Sequence, residues 1–429
     1  MSSGKVWLVG AGPGDAALMT LKGRKVLEEA DVIVYDSLVG DALLSGLPYG
    51  ARLINVGKRS SHHSMPQEEI NRLLLDEALK GNKVVRLKGG DPFLFGRGGE
   101  ELELLAENHI EYEVVPGVTS ALAVPEYNGI PVTHRDFTSS LHIITGHKRA
   151  GEDYDIDFKS LVRTKGTLIF LMGVSSLREI CSGLMDAGMD GETPAALLEK
   201  GTTAHQKRIL ATVGTLADEV QRLGAETPGI IMVGQVCQLA GRFSWYESLP
   251  LGGWKVVLTR PAGMISRMAE KLRMAGAEVL ELPSIETVPR EPDELLDRSI
   301  RNTGRYQWLV LTSPTGVKVL RQNMERLKMD VRSLAPVRIA VIGKGTEREL
   351  RNMGIYPDMI PSRFDGDTLG RELAELVHPG DRILIPRAAA GNKALVDHLE
   401  KAGAVVDDVP TYDTVPARRG VVDEKALFS

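Results

Sequence analysis

Cysteine is scarce in this 429-residue chain: only Cys181 and Cys237 occur, far apart. Two separated thiols build neither a disulfide framework nor a cysteine-based zinc site, and a reducing, cytoplasmic setting is the expectation. Long apolar runs are also missing. The stretch "LIFLMGV" at Leu168 to Val174 has the length of a buried strand, so no membrane partner is expected. The opening "MSSGKVWLVGAGPGD" has no apolar signal core with a small-residue cleavage site. Positive charge is not in excess either. A net charge of -5 and a pI near 6.1 give no support for bulk nucleic-acid binding, although a local basic pocket stays open. Heptads, tandem repeats and low-complexity segments are absent.

What is present is the composition of a globular protein, 43% hydrophobic and 25% charged, on a chain long enough for two or three domains. Short apolar runs read as strands: "KVWLVG", "DVIVYD", "KVVRLKGGD", "LHIITG", "GTLIFLMG" and "GIIMVGQV". Between them "LMTLKGRKVLEEA" and "PQEEINRLLLDEALKG" carry helical spacing. The alternation predicts an α/β fold. A cluster of aromatics, Pro and Gly, "RFSWYESLPLGGW" at Arg242 to Trp254, marks the main seam. It divides a first module (residues 1–245) from a linker (246–254) and a second module (255–429). A lesser seam at "EVVPGVT" splits the first module into lobes of about 1–115 and 116–245, with a cleft between them as the expected ligand site.

The first loop, "GAGPGD" at Gly10 to Asp15, begins with the spacing of a dinucleotide fingerprint and then departs from it. Pro13 removes an amide donor, and Asp15 puts a carboxylate where a pyrophosphate would need a glycine. Read alone, it is a tight strand-to-loop turn or a pocket for a phosphate-free ligand, with a cation as one option. Four further loops join it: "YDSLV", "VGKR", "RLKGGDPFLFGRGGEE" and "VVPGVTSA". Each could be turn chemistry alone. Together they read as the loops at the carboxyl ends of a sheet, where α/β proteins bind ligands.

These loops, with "GKRSSHHSMPQEEIN", "NGIPVTHRD", "LMGVSSL", "TPAALLEKGTTAHQKRILATVGTL" and "TPGIIMVGQV", resemble uroporphyrinogen-III C-methyltransferases of the tetrapyrrole methylase family over about the first 245 residues. The resemblance implies a two-lobed fold with a cleft between its lobes. It also implies S-adenosylmethionine as methyl donor, uroporphyrinogen III as substrate, precorrin-2 as product, and a homodimer. A sulfonium with no phosphate explains why a pyrophosphate loop is unnecessary.

By position, the family's donor contacts fall on Pro13, Gly89, Gly90, Asp91, Leu94, Thr119, Ser120, Met172 and Gly201. Gly89 and Gly90 would let backbone approach the ligand, and Asp91 would offer an acceptor suited to a cationic ligand. Asp91 could also be a turn residue, Thr119 and Ser120 a helix N-cap, and Met172 part of the core. The family's acid–base pair maps onto Asp36 and Lys58, the latter also suited to binding a substrate carboxylate. An eight-carboxylate substrate needs a basic cleft, for which Arg59, Arg86, Lys88, Arg97, Arg135, Lys148 and Arg149 are candidates. His62 and His63 lack further ligands, and no metal is expected. The alternatives are another S-adenosylmethionine-dependent methylase, of the corrin pathway or acting on ribosomal RNA or protein, and a non-catalytic nucleotide-binding regulator.

The second module resembles uroporphyrinogen-III synthase through "KVVLTRP", "LRMAGAEVLELPSIET", "YQWLVLTSPTGVKVL" and "RILIPRAAAGNKALVDHLEKAGAVVDDVPTYDTV". The resemblance implies a bilobal α/β module with Thr312 and Ser313 facing its cleft. Only one β-α-β piece precedes the second lobe and little follows it. The module is therefore expected to be partial, with little or no ring-closing activity, and "KVVLTR" is expected to have unpaired edges.

Overall fold

A computed structural model describes residues 4–417 except 49, 58–64, 147–155, 261, 291–293 and 392; the side chains of 262–266 also fall outside it. Two compact units result, Met1–Pro283 and Ser284–Arg418. Their strands, among the described residues, form three five-stranded sheets and one two-stranded sheet. No helix among these residues is long and apolar enough to cross a membrane.

The first sheet contains β1 (Lys5–Gly10), β2 (Val32–Tyr35), β3 (Arg52–Asn55), β4 (Lys83–Lys88) and β5 (Glu111–Val115), all parallel, in the order β3-β2-β4-β1-β5. Connections run through α1 (Leu21–Glu28), α2 (Asp41–Ser45), α3 (Gln67–Leu79) and α4 (Gly98–Glu107). Successive residues of these strands serve opposite cores. Val6, Leu8, Val32, Val34 and Val84 pack on one side, while Val9, Ile33, Tyr35, Val85 and Leu87 pack on the other. Such two-sided burial is why the strands read as continuous apolar runs.

The edge strand β5 is tied down by charge: Glu113 pairs with Lys22 and with Lys5 at 3.2 Å, and accepts Trp7 Nε1 at 3.1 Å. Chiefly Lys22, then Lys5, holds the Glu113 carboxyl at about 2. Its side chain is 31% exposed, so solvent screening limits Glu113→Gln to a cost of at most about 1 kcal/mol. That contribution is present above the ordinary value near 4.5 and lost as pH falls toward 2, which urea unfolding at pH 7 and pH 3 would register as a narrowing gap between wild type and variant.

The second lobe follows α5 (Ser120–Tyr127). Its sheet holds β6 (Leu141–Thr145), β7 (Thr167–Leu171), β8 (Pro194–Glu199), β9 (Lys207–Thr212) and β10 (Gly229–Val233), ordered β6-β7-β10-β8-β9. Only β6 and β7 run parallel. Helices α6 (Phe158–Thr164), α7 (Leu177–Asp186) and α8 (Leu216–Leu223) contribute to the core on one face. Residues from α5 and from the 235–240 turn fill the other. Cys181 and Cys237 are buried and free, and burial raises their thiols to about 11 and about 12, leaving both protonated.

The aromatic seam is not a loose tether. Trp245 meets Tyr127 edge to face and Tyr246 packs tilted against it, and Trp245 Nε1 donates to Glu126 O at 2.9 Å. Arg208 reaches Ser244 and Glu247. Beyond it, β11 (Lys255–Leu258), α9 (Ala262–Met274) and β12 (Glu278–Glu281) form a β-α-β piece that packs within the first unit, against α2. Leu258, Ala269, Ala277 and Val279 share a small core with Leu251, Val256 and Leu272. The division between units therefore falls at Pro283, later than the compositional seam, because apolar burial continues across the latter. Strand β11 pairs with β12 along one edge, and these two strands form a sheet of their own among the described residues.

The second unit is a sheet of β13 (Ile285–Pro289), β14 (Trp308–Leu311), β15 (Arg338–Val341), β16 (Arg382–Ala388) and β17 (Val405–Pro416), ordered β13-β17-β16-β14-β15, with β13 alone antiparallel. Leu309 and Leu311 face a core filled by α10 (Glu294–Arg301), α11 (Pro314–Arg326) and α12 (Lys344–Arg351). Trp308 and Val310 face another, filled by α13 (Gly366–Ala374) and α14 (Ala394–Lys401). Ser313 is the N-cap of α11: its Oγ accepts Gly316 N at 2.9 Å and pairs with Tyr412 Oη at 2.7 Å. The hydroxyl expected to face a cleft is thus engaged locally, and Thr312 stands half-buried at the end of β14.

Candidate active site

Three parallel strands end side by side, with Gly10 opposite Lys88 and Val9 opposite Val115. Their following loops meet without side chains between them. A Cβ on Gly10 would lie 2.5 Å from Gly117 Cα, and one on Gly117 would lie 2.2 Å from Gly90 O. Gly12 and Gly90 bond reciprocally, N to O at 3.2 and 2.7 Å. The glycines of the first loop thus serve backbone-to-backbone contact, and the Gly12 and Gly90 amides are spent inside the protein, unlike in a pyrophosphate cradle. Asp15 faces the second lobe: its amide donates to Thr202 Oγ1 at 3.1 Å and its Oδ2 accepts Tyr127 Oη at 3.0 Å. Burial first, and Asp15 next, raises the Tyr127 phenol, which stays protonated.

Between the lobes lies a cavity of about 770 Å³. Pro13, Asp36, Lys88, Gly89, Gly90, Asp91, Leu94, Arg97, Thr119, Ser120, Met172 and Gly201 all line it. The sequence reading missed other lining residues, among them Ser37, Asp41, Val124, Lys200, Thr203, His205, Lys255 and Glu278. Of these, only the turn after β8 carried a signal, the lysine, glycine and threonines of "EKGTTAH" following an apolar run.

Backbone strain concentrates here. Phe95, Arg97, Met172 and Lys200 line the cavity with φ of 54°, 57°, 56° and 43°. Thr202, two residues after Lys200, has φ 67° although it is β-branched. Each such residue costs on the order of 1–3 kcal/mol and persists only where the surroundings over-determine it. Strained, half-exposed Met172 is a cavity residue and not a core one.

Beneath the cavity floor sits a charged cluster. Glu101, fully buried on α4, accepts at Oε1 from Arg86 Nε (3.1 Å), Lys88 Nζ (2.7 Å) and Gln67 Nε2 (3.1 Å). Its buried Oε2 has no partner among the described residues. Arg86 also reaches Asp36 Oδ2 at 3.4 Å. Burial first, then Arg86, lowers the Lys88 ammonium from its ordinary value. Arg86 and Lys88 are therefore not free surface cations awaiting a substrate: Arg86 is buried behind Asp36, and only Lys88 touches the cavity.

Asp36 itself is part-exposed, with Oδ1 accepting Leu38 N at 3.0 Å. Asp91 is committed to the chain: Oδ1 accepts Phe93 N (2.9 Å) and Leu94 N (3.1 Å), and Oδ2 accepts Gly117 N (3.2 Å). Thr119 is the N-cap of α5. Arg97 makes a bidentate pair with Glu100 at 2.6 and 2.9 Å. Arg135 is exposed and lies outside the cavity lining. Lys58, Arg59, His62, His63, Lys148 and Arg149 lie outside the described residues.

A glycine-tipped parallel sheet facing a mixed sheet across a cavity of carboxylates and bare backbone defines a two-lobed α/β ligand-binding enzyme. Residues 5–217 match the tetrapyrrole (corrin/porphyrin) methylases, and residues 266–428 match uroporphyrinogen-III synthase HemD. The porphyrin biosynthesis protein HemD of Ruminiclostridium josui is 46% identical over 414 residues, covering 96% of this chain and 82% of that protein. A uroporphyrinogen-III C-methyltransferase of Bacillus subtilis is 38% identical over 364 residues, covering 83% and 74%. Among solved structures, the uroporphyrin-III C-methyl transferase of Thermus thermophilus, complexed with S-adenyl homocysteine, is 38% identical, covering 55% of this chain and 99% of that one at a TM-score of 0.48. The chain belongs to the tetrapyrrole methylase family, joined to a uroporphyrinogen-III synthase module.

Proposed function

We propose that the protein methylates uroporphyrinogen III at two ring carbons, with S-adenosylmethionine as donor and precorrin-2 as product. The observation that carries this reading is the cavity itself. Its floor is bare backbone at Gly89 and Gly90, its wall presents the carboxylate of Asp36, and a buried guanidinium stands behind that carboxylate. The residues fit such a donor: the Asp41 carboxylate in the cavity lining suits a positive ammonium, while the reciprocal Gly12–Gly90 pairing withholds those amides from any phosphate. Bound there, the donor would supply an electrophilic methyl group.

Methyl transfer to carbon depends on alignment more than on a metal. The strained turns at Met172 and Lys200 hold the second lobe's contribution in one place, and the fused glycines hold the first lobe's. The Asp36 carboxylate is the assigned acceptor of the proton that the pyrrole system must lose, and Lys58 is assigned to the same acid–base work or to a substrate carboxylate. Arg97, an exposed cation in the cavity lining, is assigned to the substrate's carboxylates, with Arg59. A homodimer is the proposed assembly.

The test is incubation of uroporphyrinogen III with methyl-labelled S-adenosylmethionine. Label is expected in the tetrapyrrole at two methyl groups per molecule. Absence of label there, with transfer to a later corrin intermediate instead, would assign the chain to a different methylase. Calorimetry in which NAD binds and S-adenosylhomocysteine does not would defeat the reading of the glycine loop.

A further inference from the structure

The β-α-β piece at 255–281 touches both lobes of the methylase. Toward the first lobe, Glu281 N donates to the buried Ser45 Oγ at 2.9 Å, at the end of α2. Toward the second, Glu278 Oε2 accepts Ala204 N at 2.9 Å, in the turn after β8. That turn is where Lys200 and Thr202 hold positive φ, a conformation that an isolated chain would leave. It also supplies Lys200, Gly201 and Thr203 to the cavity lining. Glu278 and Lys255 line the same cavity, although the match to the methylase family stops at residue 217 and Glu278 falls within the HemD match.

A half-buried carboxylate that takes a backbone N–H makes a charge-assisted bond, stronger than a neutral one and directional. The bond ties down a strained turn that contributes to the cavity lining.

We propose that this segment of the synthase-like sequence is a working wall of the methyl-transfer cleft, with Glu278 a positioning residue that sets donor affinity through the turn at Lys200 to Ala204. The inference rests on the assignment of S-adenosylmethionine as donor. In the full chain, Glu278→Ala removes the acceptor for the Ala204 amide, whereas Glu278→Gln keeps a side-chain oxygen there.

The experiment is calorimetry with S-adenosylhomocysteine on wild type and both variants, with steady-state kinetics beside it. Glu278→Ala is expected to weaken binding on the order of tenfold, the loss of one charge-assisted bond. The donor KM should rise in step, while kcat at saturating donor moves by less than about threefold. Glu278→Gln should recover most of the affinity. A role confined to folding would lower the melting temperature and leave KM unmoved. Wild-type affinity and KM in a folded Glu278→Ala chain would overturn the proposal. Should that variant not fold, hydrogen exchange on the wild type decides. Added S-adenosylhomocysteine should protect residues 200–206 and 276–281 together, and protection that spares 276–281 would refute the wall. A wild-type chain that does not bind the probe at all overturns the donor assignment, and this inference with it.

Discussion

Asp36→Asn is expected to lower the methyl-transfer rate by roughly 10²–10⁴-fold while donor binding holds near wild type. Asparagine keeps the shape of the side chain, and its oxygen can still accept from Leu38 N, the bond that seats Asp36 at the end of β2. What it cannot do is take a proton. The neighbouring Arg86 guanidinium lies 3.4 Å from Oδ2 and does not occupy both oxygens. Substrate therefore meets a carboxylate that is oriented and part-exposed. Rapid-quench turnover with labelled donor and calorimetry with S-adenosylhomocysteine separate the two effects. An asparagine variant turning over at the wild-type rate would move the base elsewhere in the cleft.

Glu101→Ala is expected to destabilise the first unit by about 3–5 kcal/mol, the cost of removing one partner from a buried ion cluster. Arg86 and Lys88 would be left in the interior with Asp36 as their remaining anion among the described residues. The pH dependence has a definite direction. Burial already sets the Lys88 ammonium below its ordinary 10.5, so between its folded value and 10.5 the unfolded chain binds more protons and stability rises with pH. Loss of Glu101 deepens that lowering. The variant's deficit should be largest near neutral pH and shrink as Lys88 sheds its proton on the alkaline side. Urea unfolding across pH 7 to 10 reads this directly, and a deficit under 1 kcal/mol at pH 7 would contradict it. Adding Lys88→Met to Glu101→Ala should return part of the loss, because an apolar chain has no charge to strand.

The strands of both units were legible in the sequence because parallel sheets covered on both faces need apolar residues at consecutive positions. "VIVY" and "WLVL" are buried throughout for that reason. The cleft loops were legible too, since chains seldom place so many glycines and prolines after strands without a use. The roles inside that cleft were harder to read. Arg86 and Lys88 lie on β4, whose residues are buried on both faces, so their charges had to be met internally by a carboxylate thirteen to fifteen residues on. Sequence shows the charges but not that Glu101 turns inward. Asp91 similarly looks free for a ligand until its three amide partners are counted.

The seam at Arg242 to Trp254 falls between the two family matches, yet packing runs across it. Its aromatics, Pro and Gly make a turn, and a turn ends a path of the chain without ending a core. Tyr246 Oη reaches Gly276 O, and Leu251 N donates to Ala275 O at 2.8 Å, so the core continues through residues that composition would discard.

That continuity constrains how such a gene can be rearranged. A recombination event that cut at the compositional seam would separate Leu251 from Ala277 and Val279, opening an apolar flank on both products. A cut after Pro283 would divide the coding sequence where the packing also divides. Between those two points lie residues that pack with the first unit, and those from 266 onward also fall within the synthase match. Their possession by both partners makes the fusion difficult to reverse at the seam, and any shuffled descendant that keeps a sound methylase should be found to have carried them along.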